Sequence, residues 1–360
     1  MRRAYVAAVA LIVILALTVA FGIYYAWLSE NRVTLKVLCA GSLMFPLERI
    51  EEAFEKSHPD VDVQIEDYGS IQVIRQVTEL GKDADVLMVA DYSLIPIMMY
   101  NTTIPNTNQS YATWYIRFAS NSVVLAYTNQ SKYANEINAT NWYKILARSD
   151  VKFGFPNPFI DALGYRVLFT IQLAEIYYQN SSIFEQLITP NFDPAFGSIK
   201  VNGTYVITVP ETQTPVGGKI LIRASSIPLI PLLEAGSIDY CFLYLSNAKQ
   251  YGFSYVELPS QINLGSPEYQ QYYQQVRVEF QYQRFASIGL DREGKTIYYG
   301  LTIPQNAPHP ELAAEFVEFI LNGEGKTIFE DCWQPVYQPA FTDNLQIVPE
   351  KLQSLVVNEP

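Results

Sequence analysis

A strand, a Gly-Ser turn and a helix occur twice in quick succession near the start of the chain, and that recurrence narrows the fold more than any other feature. Leu35-Lys36-Val37-Leu38-Cys39-Ala40 is an apolar run ending at Gly41-Ser42, and Leu47, Ile50, Ala53 and Phe54 then fall on one helical face. Val61-Asp62-Val63-Gln64-Ile65 alternates like a strand. Gly69-Ser70 follows and leads into Ile71, Ile74, Val77 and Leu80 at helical spacing. A third strand runs from Ala84 to Tyr92. This order predicts an α/β fold on a parallel sheet, where ligands bind beyond the carboxyl ends of the strands. Ser42 and Ser70 both fall there. Each serine either caps its helix or offers a hydroxyl and a helix N-terminus to an anion, and the two turns alone leave both uses open.

Charge and composition remove several function classes. The 360-residue chain carries a formal net charge of −12, and no basic stripe is present to displace counterions from nucleic acid. An acidic chain binds a small anion only through local, oriented donors. Hydrophobic residues make up 49% and charged ones 17%, enough for a large core and against wholesale disorder. Cys39, Cys241 and Cys332 are too sparse and oddly spaced for a zinc site or a disulfide framework. Both histidines, His58 and His309, directly precede proline, so histidine-based catalysis and metal binding are not expected.

The run from Ala4 to Leu28 contains no charge and follows Met1-Arg2-Arg3, which is long enough to cross a bilayer with the N-terminus inside. It ends in Ile23-Tyr24-Tyr25-Ala26-Trp27, an interfacial aromatic belt rather than the small-residue exit of a cleaved signal peptide. An uncleaved anchor is the expectation, with a signal peptide as the alternative. Cys39 is not a lipidation site, because Leu38 precedes it and it lies inside the first strand. Six Asn-X-Ser/Thr sequons, at Asn101, Asn108, Asn129, Asn138, Asn180 and Asn202, agree with an exported, glycosylated surface.

A second set of units follows a long strand-like segment from Arg117 to Tyr127. Val151 to Phe155 reads as a strand, and Pro156 to Arg166 opens a helix running to about Gln179, with Asp161 at the junction as N-cap or ligand. Residues 190–218 are turn-rich with one strand, Tyr205 to Val209. Lys219 to Arg223 is a strand followed by a short helix, which places Ser226 at another junction, and Asp239 to Tyr244 is a buried strand. Tyr255 to Pro259 and Ile297 to Pro304 are expected to rejoin the first sheet, so that two crossings make a hinge.

These residues resemble a known family. Ala40-Gly41-Ser42-Leu43, Gly69-Ser70, Thr78-Glu79-Leu80-Gly81 with Ala84-Asp85, Ala90-Asp91-Tyr92-Ser93-Leu94-Ile95, Gly164-Tyr165-Arg166, Ile238-Asp239-Tyr240, Val256-Glu257-Leu258-Pro259 and Tyr299-Gly300-Leu301-Thr302-Ile303-Pro304 are similar to blocks of extracellular tungstate/molybdate-binding proteins of archaeal type. The likeness covers about residues 34 to 340. It implies a two-lobed, type II periplasmic-binding-protein-like fold, each lobe a mixed sheet flanked by helices, which hands an oxyanion to an ABC permease. The implied division is 1–32 (signal anchor or signal peptide and linker), 33–126 (lobe I, first part), 127–254 (lobe II), 255–345 (lobe I, second part) and 346–360 (tail). The resemblance further implies that Ser42 and Ser70 bond the oxyanion from one lobe, with Tyr244 and Asp161 from the other. Asp161 is then a direct ligand to the tungsten or molybdenum centre. The family carries a second carboxylate three residues after the arginine of the Lys-Ile-X-Ile-Arg strand, and here that position is Ser226. One carboxylate remains, so six-coordination of the metal is not expected and Ser226 supplies a neutral donor instead.

The expected function is thus a monomeric receptor for tungstate or molybdate on the outer face of the cell membrane, with no cofactor and no catalysis. A receptor for phosphate or sulfate is the alternative opened by Ser226. A cleft with Asp161, Asp91 and Tyr244 is chemically able to do acid–base work, but no nucleophile elbow, Cys-His pair or phosphate loop accompanies it. A sugar receptor needs tyrosines lining the cleft, and Tyr269, Tyr272 and Tyr273 read more simply as a helix surface.

Overall fold

The computed structural model describes residues 15, 16, 18, 19, 32–281 and 289–359. The apolar run from Ala4 to Leu28 lies outside these, save for four helical positions. Among the described residues no helix is long and apolar enough to cross a membrane.

Two sheets organise the described residues. The first has seven strands in the order Val356–Asn358, Val336–Thr342, Ile116–Ser120, Tyr298–Thr302, Val86–Val89, Val33–Ala40 and Val61–Tyr68. Its parallel half is the predicted strand–helix repeat: Val33–Ala40 pairs in register with Val61–Tyr68 on one side and with Val86–Val89 on the other. The second has five strands in the order Ile220–Arg223, Phe153–Pro156, Tyr240–Tyr244, Val123–Tyr127 and Ser254–Glu257. Both are mixed, because antiparallel strands complete each sheet beside the parallel ones.

Helix Ala162–Tyr178 backs the second sheet and is buried on every side from Ala162 to Glu175. Its residues Leu163, Val167, Leu168, Ile171 and Leu173 are fully buried, each contributing about 1.5–3 kcal/mol of burial. Asp161 caps it, its Oδ1 accepting from Leu163 N at 2.7 Å.

Several expectations need correction. The segment from Arg117 to Tyr127 is two strands, not one, because the chain changes sheets at Asn121-Ser122. There the Asn121 side chain accepts from Ser122 N at 3.0 Å, and its amide turns toward other side chains instead of continuing a ladder. Ser254–Glu257 stays in the second sheet as the antiparallel neighbour of Val123–Tyr127, so the return to the first sheet comes later than Tyr255. Residues 190–218 hold more than one strand: Gly197–Val201 and Thr204–Pro210 form a further sheet with Val276–Gln281 and Asp291–Glu293. The stretch after residue 345 is no loose tail, since Val356–Asn358 pairs in parallel with Val336–Thr342. The three cysteines are free and buried.

Asp85 shows how side chains tie the first sheet to its helices. Fully buried, its carboxylate accepts from Lys36 N at 2.8 Å and from His309 N at 2.7 Å, joining the strand Val33–Ala40 to the start of helix Pro310–Leu321. Asp85→Ala orphans both N–H groups and is expected to cost roughly 2–4 kcal/mol in urea unfolding. An unchanged midpoint would show that these amides find other partners.

Candidate functional site

The carboxyl ends of the strands in the first sheet deliver Ser42, Ser70 and Asp91 to one region, and the second sheet and its helix bring Asp161, Tyr165, Arg166, Ser226 and Tyr244 against them. The five residues singled out in the sequence are all buried: Ser42, Ser70, Asp161, Ser226 and Tyr244 expose 5% or less. Contacts across the junction are close. Ile71 N and Gln72 N donate to Ile160 O at 3.0 and 3.3 Å, which sets the start of helix Ser70–Thr78 beside Asp161. Gly69 permits this approach, because a Cβ there would stand 2.5 Å from Ile160 O and 2.9 Å from Ala224 O. Gly41 is less tightly confined, with the Ile227 side chain, at Cγ1, 3.0 Å from where its Cβ would be. The Gly-Ser turns are therefore glycine for clearance between the two halves.

Neither serine caps its helix. Leu43 and Gly69 are the N-caps of helices Met44–Ser57 and Ser70–Thr78, and no side chain bonds either cap. Two N–H groups of the second helix, those of Ile71 and Gln72, are spent on Ile160 O. The serine oxygens are engaged elsewhere. Ser42 Oγ accepts from Tyr299 Oη at 2.9 Å, and Ser70 Oγ accepts from Ala90 N at 3.0 Å. Tyr244 Oη accepts from Arg166 Nη1 at 2.6 Å, and the same nitrogen donates to Ala90 O at 2.7 Å. A hydroxyl whose oxygen is held by a donor has its own proton free for an acceptor. These three hydroxyls thus lie in one linked cluster with their donor capacity unspent. The Tyr244 and Tyr299 rings meet edge to face, 5.8 Å between centroids, which closes the circuit between its two ends.

Behind the hydroxyls sits a buried charge cluster that sequence reasoning gave no binding role. Arg166, 1% exposed, has its Nη2 3.7 Å from Asp91 Oδ2. Asp91 also meets Lys295 Nζ at 3.2 Å and accepts from Tyr165 Oη at 2.6 Å and Ser93 Oγ at 2.8 Å. Burial alone would raise Asp91, but Lys295 and Arg166 hold it well below the usual carboxylate range. Burial likewise opposes the charge on Arg166, and Tyr244, Asp91 and Tyr165 outweigh it, so the guanidinium stays charged. With two cations around Asp91, the cluster places a local positive field inside an acidic protein.

Asp161 behaves differently. Burial pushes its carboxyl up to about 7, against the Leu163 N–H and the Arg166 charge, which lower it, while Asp67 raises it further. It is therefore poised to be neutral or charged near neutral pH. Ser226 stands at the N-terminus of the turn Ile227–Leu229 without a capping bond, beside the Gly41 turn that Ile227 touches. Among the described residues no group of three or more His, Cys, Asp or Glu is arranged to hold a metal ion. Tyr299 and Asn121 were missed because one tyrosine among 26 carries no local signal. Arg166 did carry one, as a cation inside an apolar helix.

The comparisons agree with this architecture. A family model described as bacterial extracellular solute-binding protein matches residues 35–332. An uncharacterized solute-binding protein of Staphylothermus marinus is 39% identical over 358 residues, covering 97% of this chain and 96% of its own. The molybdate/tungstate-binding protein WtpA of Thermococcus kodakarensis is 39% identical over 337 residues, 91% of this chain and 88% of its own. Among solved structures, the periplasmic molybdate-binding protein of Azotobacter vinelandii has the same fold, with a TM-score of 0.53 at 15% identity over 84% of this chain and 100% of that one. On both sequence and architecture, the chain belongs to the extracellular solute-binding protein family, whose members carry solutes and are not enzymes.

Proposed function

We propose that this chain captures tungstate or molybdate in the cleft between its two sheets, outside the cell, and passes it to an ABC permease. The run from Ala4 to Leu28 serves to anchor or export it. The observation that carries this reading is the set of three buried hydroxyls, Ser42, Ser70 and Tyr244, each accepting from a protein donor and so left to donate. A tetrahedral oxyanion without a proton can only accept, and neutral donors with a buried cation behind them meet that need. The relative from Thermococcus kodakarensis that is named for molybdate and tungstate supports the choice of guest. Asp161 contributes as a neutral acid, donating to the dianion, and Ser226 adds a further hydroxyl.

A second reading, hydrogen phosphate, draws on the same Asp161: when charged, it accepts the proton that phosphate carries and tungstate lacks. Isothermal titration with tungstate, molybdate, sulfate and phosphate separates the two. Tungstate or molybdate binding well above phosphate is expected, and the reverse order overturns the proposal.

Within this reading, Ser42→Ala and Ser70→Ala should each weaken tungstate binding by about 1–3 kcal/mol, the worth of a hydrogen bond to a charged group. Unchanged affinity in both variants removes them from the site.

The pH dependence has a definite sign. Burial lifts the Asp161 carboxyl to about 7 in the folded chain, above the 3.8 of a free aspartate side chain. The folded chain therefore binds more protons than the unfolded one between those values, and stability from this residue falls as pH rises toward 7. In the ligand-free protein, Asp161→Asn is expected to raise the melting temperature near pH 8 and to leave it little changed near pH 4, where both side chains are neutral. Tungstate affinity of the native chain should fall as pH rises through about 7, because a charged Asp161 repels the dianion. A carboxylate bonded directly to the metal would give the opposite trend.

A further inference from the structure

One exposed hairpin outside the cleft carries a residue that its turn does not require. Gly197–Val201 is an edge strand of the four-stranded sheet and pairs antiparallel with Thr204–Pro210, Val201 standing opposite Thr204. The two-residue loop between them, Asn202-Gly203, has φ of 49° and 92°, both in the left-handed region. Asn-Gly is the favoured pair for such a turn, so the turn accounts for both residues. It makes no demand on residue 204, and a threonine there completes the sequon Asn202-Gly203-Thr204. Asn202 is exposed, and no hydrogen bond engages its side chain or that of Thr204 among the described residues. Four of the other five sequons have a hydroxyl or carboxamide already engaged. Ser131 is buried and its Oγ accepts from Thr128 N at 2.9 Å, while Ser110 Oγ donates to Ala112 O at 2.9 Å. The Asn138 carboxamide oxygen accepts from Thr140 N and Oγ1 at 2.9 and 2.7 Å, and that of Asn180 from Ser182 N and Oγ at 3.2 and 2.8 Å.

The surface beside Asn202 suits a sugar. Residues paired across neighbouring strands share a face of the sheet, and here Ile199 pairs with Val206, Val206 with Arg277, Arg277 with Glu293 and Val201 with Thr204. Ile199 and Val201, 62% and 41% exposed, therefore share one face with these residues. A hollow of about 210 Å³ on it is lined by Asn202, Thr204, Val206, Gln274, Arg277 and Glu293. In its wall Arg277 Nε is buried with no hydrogen-bond partner among the described residues. Apolar side chains ringed by amide, guanidinium and carboxylate groups match the two sides of a pyranose, whose C–H face is apolar and whose hydroxyls donate and accept.

We propose that Asn202 is a site of N-linked glycosylation and that its first sugars lie in this hollow, over Ile199 and Val201. The inference goes beyond the oxyanion reading and does not depend on the guest; it needs only that the chain is exported. The donor is an oligosaccharide carried on a membrane-lipid phosphate. The bond between the sugar C1 and the phosphate oxygen breaks, its electron pair staying on the lipid phosphate. C1 then bonds to Asn202 Nδ2, which gives up one proton. The attached sugars cover the apolar face of a strand that ends its sheet, the kind of edge that proteins shield.

The full chain is purified in mild detergent from cells whose other exported proteins carry N-linked glycans. Trypsin then releases Val201–Lys219, in which Asn202 heads the single sequon. By mass spectrometry this peptide is expected to carry an oligosaccharide on Asn202. Asn202→Asp, which keeps a favoured turn pair, and Thr204→Val, which keeps a branched strand residue, should each abolish it. An unmodified native peptide overturns the site, and so does a mass that persists in Asn202→Asp, since it then sits on another residue. Packing of the sugars is read separately. Thr204→Val should lower the melting temperature by about 2 °C more in the glycosylated chain than in the same chain made in cells without glycosylation. An equal shift in both leaves the hollow unfilled and overturns the second half of the proposal.

Discussion

A doubly charged guest leaves water only for donors that already point at it. Donors that must be reoriented on binding give back in reorganisation much of what they gain. On the oxyanion reading proposed above, the requirement is met by hydroxyls that each already accept from a protein donor: Ser42 from Tyr299, Ser70 from the Ala90 amide and Tyr244 from Arg166. The Ala90 peptide links two of them, since its carbonyl accepts from Arg166 while its N–H serves Ser70. Arg166 is the costly member, because burying a guanidinium carries a desolvation penalty of several kcal/mol. Asp91, Tyr244 and the Ala90 carbonyl offset that penalty from three directions. On that same proposed reading, the guest meets a positive field without touching a mobile cation.

The two sheets meet in this arrangement where Ala90 and Asp91, which follow a first-sheet strand, pair with Arg166 and Tyr165 on the helix behind the second. Ser42 and Tyr299 belong to the first sheet and Tyr244 to the second; Asp91 follows a first-sheet strand, and Arg166 lies on the helix behind the second. The chain crosses at Asn121-Ser122, and Asn121 bonds both Tyr299 on one side and Ser246 on the other. Close passage is secured by Gly69, whose hydrogen atom is all that fits against Ile160 and Ala224. The contact between the two sheets is therefore a packed polar interface.

Much of the architecture was legible in the order of residues. The parallel core announced itself through two strand–Gly-Ser–helix units, and Asp161 followed by an apolar run gave the cap of the long helix. Reading failed where a partner distant in sequence decides the outcome. Ser42 and Ser70 have the local pattern of helix caps, yet Tyr299, 257 residues on, and the Ala90 amide claim their oxygens. Arg117 to Tyr127 has strand propensity throughout, and only the polar pair Asn121-Ser122 hints that it changes sheets. Ser254–Glu257 joins the second sheet because an antiparallel neighbour was open beside Val123–Tyr127, which no local periodicity encodes. Of the charge cluster, Arg166 could have been noticed as the one cation in an apolar helix, whereas Lys295 looks like any surface lysine.

The most direct measurement is the position of tungsten, located by its anomalous scattering in a crystal of the full chain grown with tungstate. This account predicts a single strong site between the sheets, with oxygens of the guest within hydrogen-bonding distance of Ser42 Oγ, Ser70 Oγ and Tyr244 Oη. Tungsten found away from these three hydroxyls, with the cleft unchanged, would contradict it.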